Sequence, residues 1–197
     1  MENEPPNPQV DDKAAIEIAE QHALQLLKAL IPVDIDPETP SRMVKALKEM
    51  TGGYELCPFD ILSKQFKGAD GIVLLRDIRF SSVCEHHILP FTGTATVGYI
   101  PSKKTSRIVG LSKLARVTEA HARRLQTQER LTMNIAYDLD LALNTDAVGV
   151  IIKGKHQCMG CRGVKQPNAE MITSTMLGLF RTDAAARAEF INLANQR

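Results

Sequence analysis

The sequence predicts an α+β protein built on an antiparallel sheet. Two observations carry this. The apolar period changes along the chain in blocks, running helices, strands, helices, strands and a last helix, rather than alternating strand by helix. No internal repeat, low-complexity core or domain linker interrupts the 197 residues. That length suits one large domain or two small ones and buries an ordinary core without staples.

Each block has its own signal. Residues 1–11 open with MENEPPNPQV, polar and proline-rich, and are expected to form a disordered tail. Residues 12–31 place Ile16, Ala19, Ala23, Leu27 and Leu30 at spacings of three and four, one helical stripe. IPVDIDPETP breaks it, and a second helix starts near Thr39-Pro40 and stops at Thr51-Gly52-Gly53. GIVLLRDIRF and GTATVGYI are rich in β-branched residues and read as strands. Helical spacing returns through Leu114, Val117, His121 and Leu125, and again through Leu131, Ile135, Leu139 and Ala142. DAVGVIIKGKH reads as a buried strand. NAEMITSTMLGLF reads as another, with helix as the alternative. TDAAARAEFINLAN closes as a helix capped by Thr182 or Asp183.

Composition excludes several classes of function. The 24 Lys+Arg against 23 Asp+Glu give a net charge of +1, so no broad nucleic-acid or membrane-binding surface is expected. No apolar run is long enough to span a bilayer. The N-terminus lacks the basic-then-apolar pattern of a signal peptide, so a cytoplasmic location with reduced cysteines is expected. In that compartment clustered cysteines favour metal binding or catalysis over disulfides.

The chemistry concentrates in two clusters. SSVCEHHILP carries Cys84-x-x-His87, the spacing of a zinc half-site, and KHQCMGC carries Cys158 and Cys161 at the end of a strand. For Cys84 and His87 to share an ion the segment must turn, which sends His86 elsewhere and leaves it free to titrate near neutrality. Two site types remain open. Cys84, His87, Cys158 and Cys161 would make a closed structural set; three protein ligands and an open position would make a catalytic one. On an extended strand Cys158 and Cys161 point to opposite faces, although Gly160 permits a turn. Elsewhere, Ser112, Lys113 and Arg116 open a helix after Gly110, where Ser112 is a plausible cap and the N-terminus suits phosphate. Glu129, at another helix start, is accounted for in isolation by the helix dipole, worth roughly 0.3–1 kcal/mol.

Taken together, TPSRMVK, VCEHHILPFTGTATVGYIP, GLSKLARV, RRLQTQERLT, HQCMGCRGV and TSTMLGLF resemble the GTP cyclohydrolase I family, in order and over most of residues 39–190. The resemblance implies a tunnel-type fold, antiparallel strands with helices packed outside, closed into an oligomeric β-barrel as a homodecamer of two stacked pentamers. It implies an N-terminal helical region at 12–60 and a catalytic tunnel-fold region at 61–197, one compact domain overall. It implies hydrolysis of GTP at C8, with loss of formate and formation of 7,8-dihydroneopterin triphosphate, the first step of pterin and tetrahydrofolate synthesis. Zinc would be held by Cys84, His87 and Cys158 and would lower the pKa of its water to around 7. His86 and His156 would move protons. Gln128 and Glu129 would bind the base, with Glu129 accepting N1–H and the 2-amino group of guanine. Lys113, Arg116 and Arg162, with Arg42 and Lys45, would hold the triphosphate, and Ser112 would lie near the ribose. Sites at subunit boundaries would make assembly a condition of activity. Cys161 and a longer IPSKKTSRIVG hairpin depart from the family pattern.

Overall fold

The structure is a computed structural model that describes residues 12–68 and 70–196; the expected 1–11 tail lies outside them. In chain order the elements are α1 (Asp12–Leu30), α2 (Thr39–Thr51), a 3-10 turn (Gly52–Glu55), α3 (Pro58–Leu62), β1 (Gln65–Lys67), β2 (Val73–Cys84) and β3 (Pro90–Ile100). There follow β4 (Arg107–Val109), α4 (Leu111–Ala122), β5 (Leu125–Gln126), α5 (Gln128–Leu143), β6 (Ala147–His156) and α6 (Gln157–Gly160). The chain ends with β7 (Met171–Gly178), α7 (Leu179–Thr182) and α8 (Ala184–Asn195). No helix among the described residues is long and apolar enough to cross a membrane.

The chain forms two compact units that divide between Glu49 and Met50. In the first, the predicted stripe of α1 is graded: Ala23 is buried, Ile16, Ala19 and Leu27 are half-buried, and Leu30 is exposed. The 3-10 turn and α3, expected with the N-terminal helices, belong to the second unit. Gly53 donates its N–H to Arg123 O at 2.8 Å and accepts from Arg124 Nε at 3.1 Å, and Leu62 is fully buried in the main core.

The second unit is organised by a five-stranded sheet in the order β5-β2-β3-β6-β7. All pairings are antiparallel except the short β2–β5 contact. Alternation along β2 and β3 sends Ile78, Phe80, Cys84, Phe91, Ala95, Val97 and Tyr99 to one face, where Leu114 and Val117 of α4 and Leu131, Ile135 and Leu139 of α5 cover them. A bulge between Leu75 and Ile78, with Asp77 at φ 57°, resets this alternation within β2. Among the described residues, Phe180 and Phe190, packed on Ala147, cover the second face at one end. Gly149 makes that possible, because a Cβ there would lie 2.7 Å from the Phe190 ring. Phe190 is fully buried. Phe190→Ala is therefore expected to lower unfolding free energy by about 3–5 kcal/mol, read as a shifted denaturant midpoint.

Capping explains the helix starts. Thr127 accepts from Arg130 N and opens α5 at Gln128, as the sequence predicts. Asp183 is the α8 cap, accepting from Ala185 N at 2.8 Å and Ala186 N at 3.0 Å, and these bonds hold its carboxyl below its ordinary pKa. The cap expected at Ser112 is not formed. The α4 helix already begins at Leu111 with Gly110 as cap residue, so Ser112 sits inside the first turn, exposed.

Candidate active site

Strand direction brings the two cysteine clusters together across 74 residues of sequence. The β2 and β6 strands each run antiparallel to β3, so they point the same way and end at the same edge of the sheet. Register places Ser82 opposite Phe91, and Phe91 opposite His156, in one row. Cys84 is two residues beyond that row on β2, and Cys158 is two residues beyond it in α6.

The segment after Cys84 turns, as metal binding requires. Cys84 O accepts from His87 N at 3.3 Å and Ile88 N at 2.8 Å, and Cys84 N donates to Leu89 O at 2.8 Å. Ile88 takes φ 55°, a backbone state that a β-branched residue holds only when its surroundings enforce it. Glu85 fastens the turn by pairing with Arg130, whose Nε donates to Gln126 Oε1 at 3.0 Å.

The result is a three-donor cluster. Cys84 Sγ, His87 Nδ1 and Cys158 Sγ all lie within 4.8 Å of one another. Cys84 Sγ and His87 Nδ1 are 3.7 Å apart. Tetrahedral ligands at Zn–S and Zn–N bond lengths stand about 3.6 Å apart, so donor set and spacing both fit zinc. Burial, and then the adjacent Cys84 thiol, push the Cys158 thiol above its ordinary pKa. Cys161 is exposed and outside this cluster, because the α6 turn separates it from Cys158 rather than folding it back. Three protein donors are the pattern of a catalytic site; structural sites close with four.

Two histidines flank the cluster differently. His86 is largely exposed, its Nε2 3.7 Å from Glu85 Oε1 and its ring 6.2 Å from that of His87. His156 stacks on Phe91, with ring centroids 4.4 Å apart and planes 5° from parallel. Burial pulls its pKa below the ordinary histidine value, and the Glu129 carboxylate pushes partly back.

Gln128 starts α5 where the sequence places it, but its side chain faces inward. Expected to bind substrate, it is fully buried. Its Nε2 donates toward Ile152 O at 3.1 Å, Met171 O at 2.9 Å and Thr173 Oγ1 at 3.2 Å. Backbone carbonyls only accept, so these bonds fix which way the amide points. Oε1 must then face His156, whose Nε2 lies 3.0 Å away. An oxygen acceptor requires Nε2–H there, which leaves Nδ1 as the nitrogen open to proton exchange. Gln128 thus holds His156 with both of its amide hydrogens already committed. Gly154 is the reason it fits: a Cβ there would lie 2.3 Å from Gln128 Oε1. Gly154→Ala is expected to misplace His156 and cost about 10²-fold in turnover while zinc content stays unchanged, as turnover and metal analysis on one preparation would report. Sequence reading missed Phe91 and Thr173 in this arrangement; the side-chain-free Gly154 was its only trace.

The remaining predicted residues scatter. Glu129 is exposed on the first turn of α5, and Arg162 is exposed on the turn after α6, both at the cluster's end of the sheet. Ser112, Lys113 and Arg116 are not. Val109 N donates to Tyr99 Oη at 3.0 Å, so α4 starts at the opposite end of β3. Phe91 and Tyr99 are eight residues apart on that strand, about 27 Å at ~3.4 Å per residue. Arg42 and Lys45 lie on α2, in the first unit.

An α+β chain that gathers two thiols and an imidazole around one point, with another histidine held unliganded beside them, is built as an enzyme whose site can take a metal ion. The sequence model of GTP cyclohydrolase I matches residues 19–195. Proteins named GTP cyclohydrolase 1 are similar over most of the chain. The one from Gloeobacter violaceus is 43% identical over 95% of this chain and 92% of its own length. Those from Leptospira biflexa and Coxiella burnetii are 47% and 49% identical, over 79% of this chain and 85% and 84% of theirs. The chain belongs to the GTP cyclohydrolase I family, and is an enzyme of that class. A solved structure, archaeosine synthase QueF-Like in the apo form, matches 56% of this chain and 96% of its own at 18% identity, with a TM-score of 0.45, too slight a likeness to carry an argument.

Proposed function

We propose that this chain holds zinc through Cys84, His87 and Cys158, hydrolyses GTP at C8, releases formate and forms 7,8-dihydroneopterin triphosphate. The observation that carries the reading is the meeting of three donor atoms within 4.8 Å beside a histidine kept unliganded and oriented. Zinc held by these three residues would supply a water acidic enough to lose its proton near neutral pH. The chain's own residues do the rest. His156, with Nε2–H committed to Gln128, uses Nδ1 to exchange protons with N7 of the purine and with the opened intermediate. His86, exposed beside the turn, is the second proton carrier. Glu129 accepts N1–H and the 2-amino group, a donor pair that adenine lacks. Arg162 grips phosphate from the turn that follows the zinc cluster, and Ser112 acts at the ribose.

The same reading makes the working unit an assembly, a cytoplasmic homodecamer of two pentamers with a closed tunnel of strands. Lys113 starts a helix about 27 Å of strand away from the cluster, too far to hold the triphosphate of a GTP bound at its own cluster. A neighbouring copy must present it, with Arg116, and Arg42 and Lys45 complete the phosphate site. The edge strand β7, eight residues long and with one side unpaired among the described residues, supports closure of a barrel between copies. The test is complementation. His156→Ala and Lys113→Ala chains are each expected to be inactive alone. Unfolded and reassembled as a mixture, they regain activity, because some boundaries then combine an intact cluster with an intact α4. No recovery from mixed assemblies, verified by mass, would contradict a shared site.

A further inference from the structure

We propose that the pocket between the β1–β4 ribbon and the 101–106 loop is a binding site for a phosphate-class oxyanion, distinct from the residues assigned to GTP. The cavity measures about 420 Å³ and is lined by Ser63, Gln65, Phe66, Lys67, Thr105 and Arg107. Neither Lys113 nor Arg116 lines it.

Charge is the first observation. Lys67 and Arg107 stand directly opposite each other across the ribbon, both exposed. Like charges in that position repel, and among the described residues neither is paired with a carboxylate. The two segments that build the pocket, SKQFKG at 63–68 and PSKKTSRIV at 101–109, carry Lys64, Lys67, Lys103, Lys104 and Arg107 and no acid. In a chain of net charge +1 that is a local excess, offset at the loop by Asp146, whose Oδ2 accepts from Lys103 N at 3.1 Å.

Organisation is the second. Gln65 Nε2 donates to Leu62 O at 3.2 Å and Ala142 O at 2.9 Å, which turns Oε1 toward Arg107 Nη1 at 3.4 Å. The guanidinium is thereby steadied over the cavity with other N–H groups uncommitted. The loop is tied down by Thr105 N and Ser106 N, which donate to Ser102 O at 3.2 and 2.7 Å. Thr105 Oγ1 is buried in this setting without a hydrogen-bond partner. A guanidinium fork, an ammonium and a hydroxyl without a partner, with no carboxylate among the lining residues, are the complement of a tetrahedral oxyanion. The longer hairpin thus gains a role: it supplies Thr105 and flanks the pocket with Lys103 and Lys104, which raise the local positive potential.

The test titrates the zinc-loaded assembly with inorganic phosphate by calorimetry at constant ionic strength. Substrate-site phosphate contacts are common to every chain compared and cancel. Lys67→Gln with Arg107→Gln is expected to weaken this component by ~10–100-fold, and Thr105→Val by ~10-fold, with turnover at saturating GTP within twofold of the parent. Thr105→Val keeps shape and charge, so it separates a built site from general attraction. A parallel titration with ATP identifies the source: tighter binding than phosphate assigns a nucleotide's phosphates, and equal binding assigns free phosphate. Phosphate affinity within twofold of the parent in the double variant, or in Thr105→Val, overturns the proposal.

Discussion

Cys158→Ser is expected to lose zinc and turnover together, while Cys161→Ser loses neither. Cys158 supplies one of three donors that lie within 4.8 Å of one another, and its removal leaves two, below what holds zinc in a protein site. Metal assistance is worth several kcal/mol of transition-state stabilisation, so turnover falls by about three powers of ten or more. Cys161 is exposed and outside the cluster. Its replacement is an ordinary surface change, within about 0.5 kcal/mol in stability. Zinc per chain, measured by elemental analysis beside GTP turnover, reads both variants. Zinc lost from Cys161→Ser would mean a closed Cys3His site and a structural metal.

His156→Ala gives the second large effect, with the opposite signature. Its ring is no metal donor; it is stacked on Phe91 and bonded to Gln128. Turnover is expected to fall by ~10²–10⁴-fold, the range for a lost acid–base group, with zinc content unchanged. Gln128→Ala should fall in the same direction by less, because the imidazole survives but its tautomer and orientation are no longer held. His86→Ala also loses turnover and keeps zinc. Full activity in both histidine variants would defeat the proton-transfer assignment. Loss of zinc from His156→Ala would instead make this residue part of the metal's support.

Much of the fold was legible because its signals are local. The α5 helix runs Gln128–Leu143, the stretch its apolar spacing marks, and Asp183 caps α8 where the sequence offers it. The Cys84–His87 turn followed from a constraint: two ligands three residues apart cannot meet on an extended strand. The misses need tertiary information. The short elements β1, β4 and β5, two or three residues each, carry no period to read. Gln128 was expected beside Glu129 as a base-binding residue; only the β6–β7 backbone, which takes both of its amide hydrogens, shows that it is buried. Ser112 looked like a cap because Ser is the usual choice, yet the chain enters α4 through Gly110. The far placement of Lys113 depends on strand direction and sheet length, and no local motif encodes either.

The most direct test of the account incubates zinc-loaded protein with GTP and follows formate and the oxidised, fluorescent pterin together. The account predicts that both form in equal amounts and that neither forms after zinc is removed. Formate without pterin would contradict the proposed product and point to the ribose rearrangement near Ser112. Neither product, from fully zinc-loaded and assembled protein, would contradict the catalytic reading of the Cys84–His87–Cys158 cluster itself.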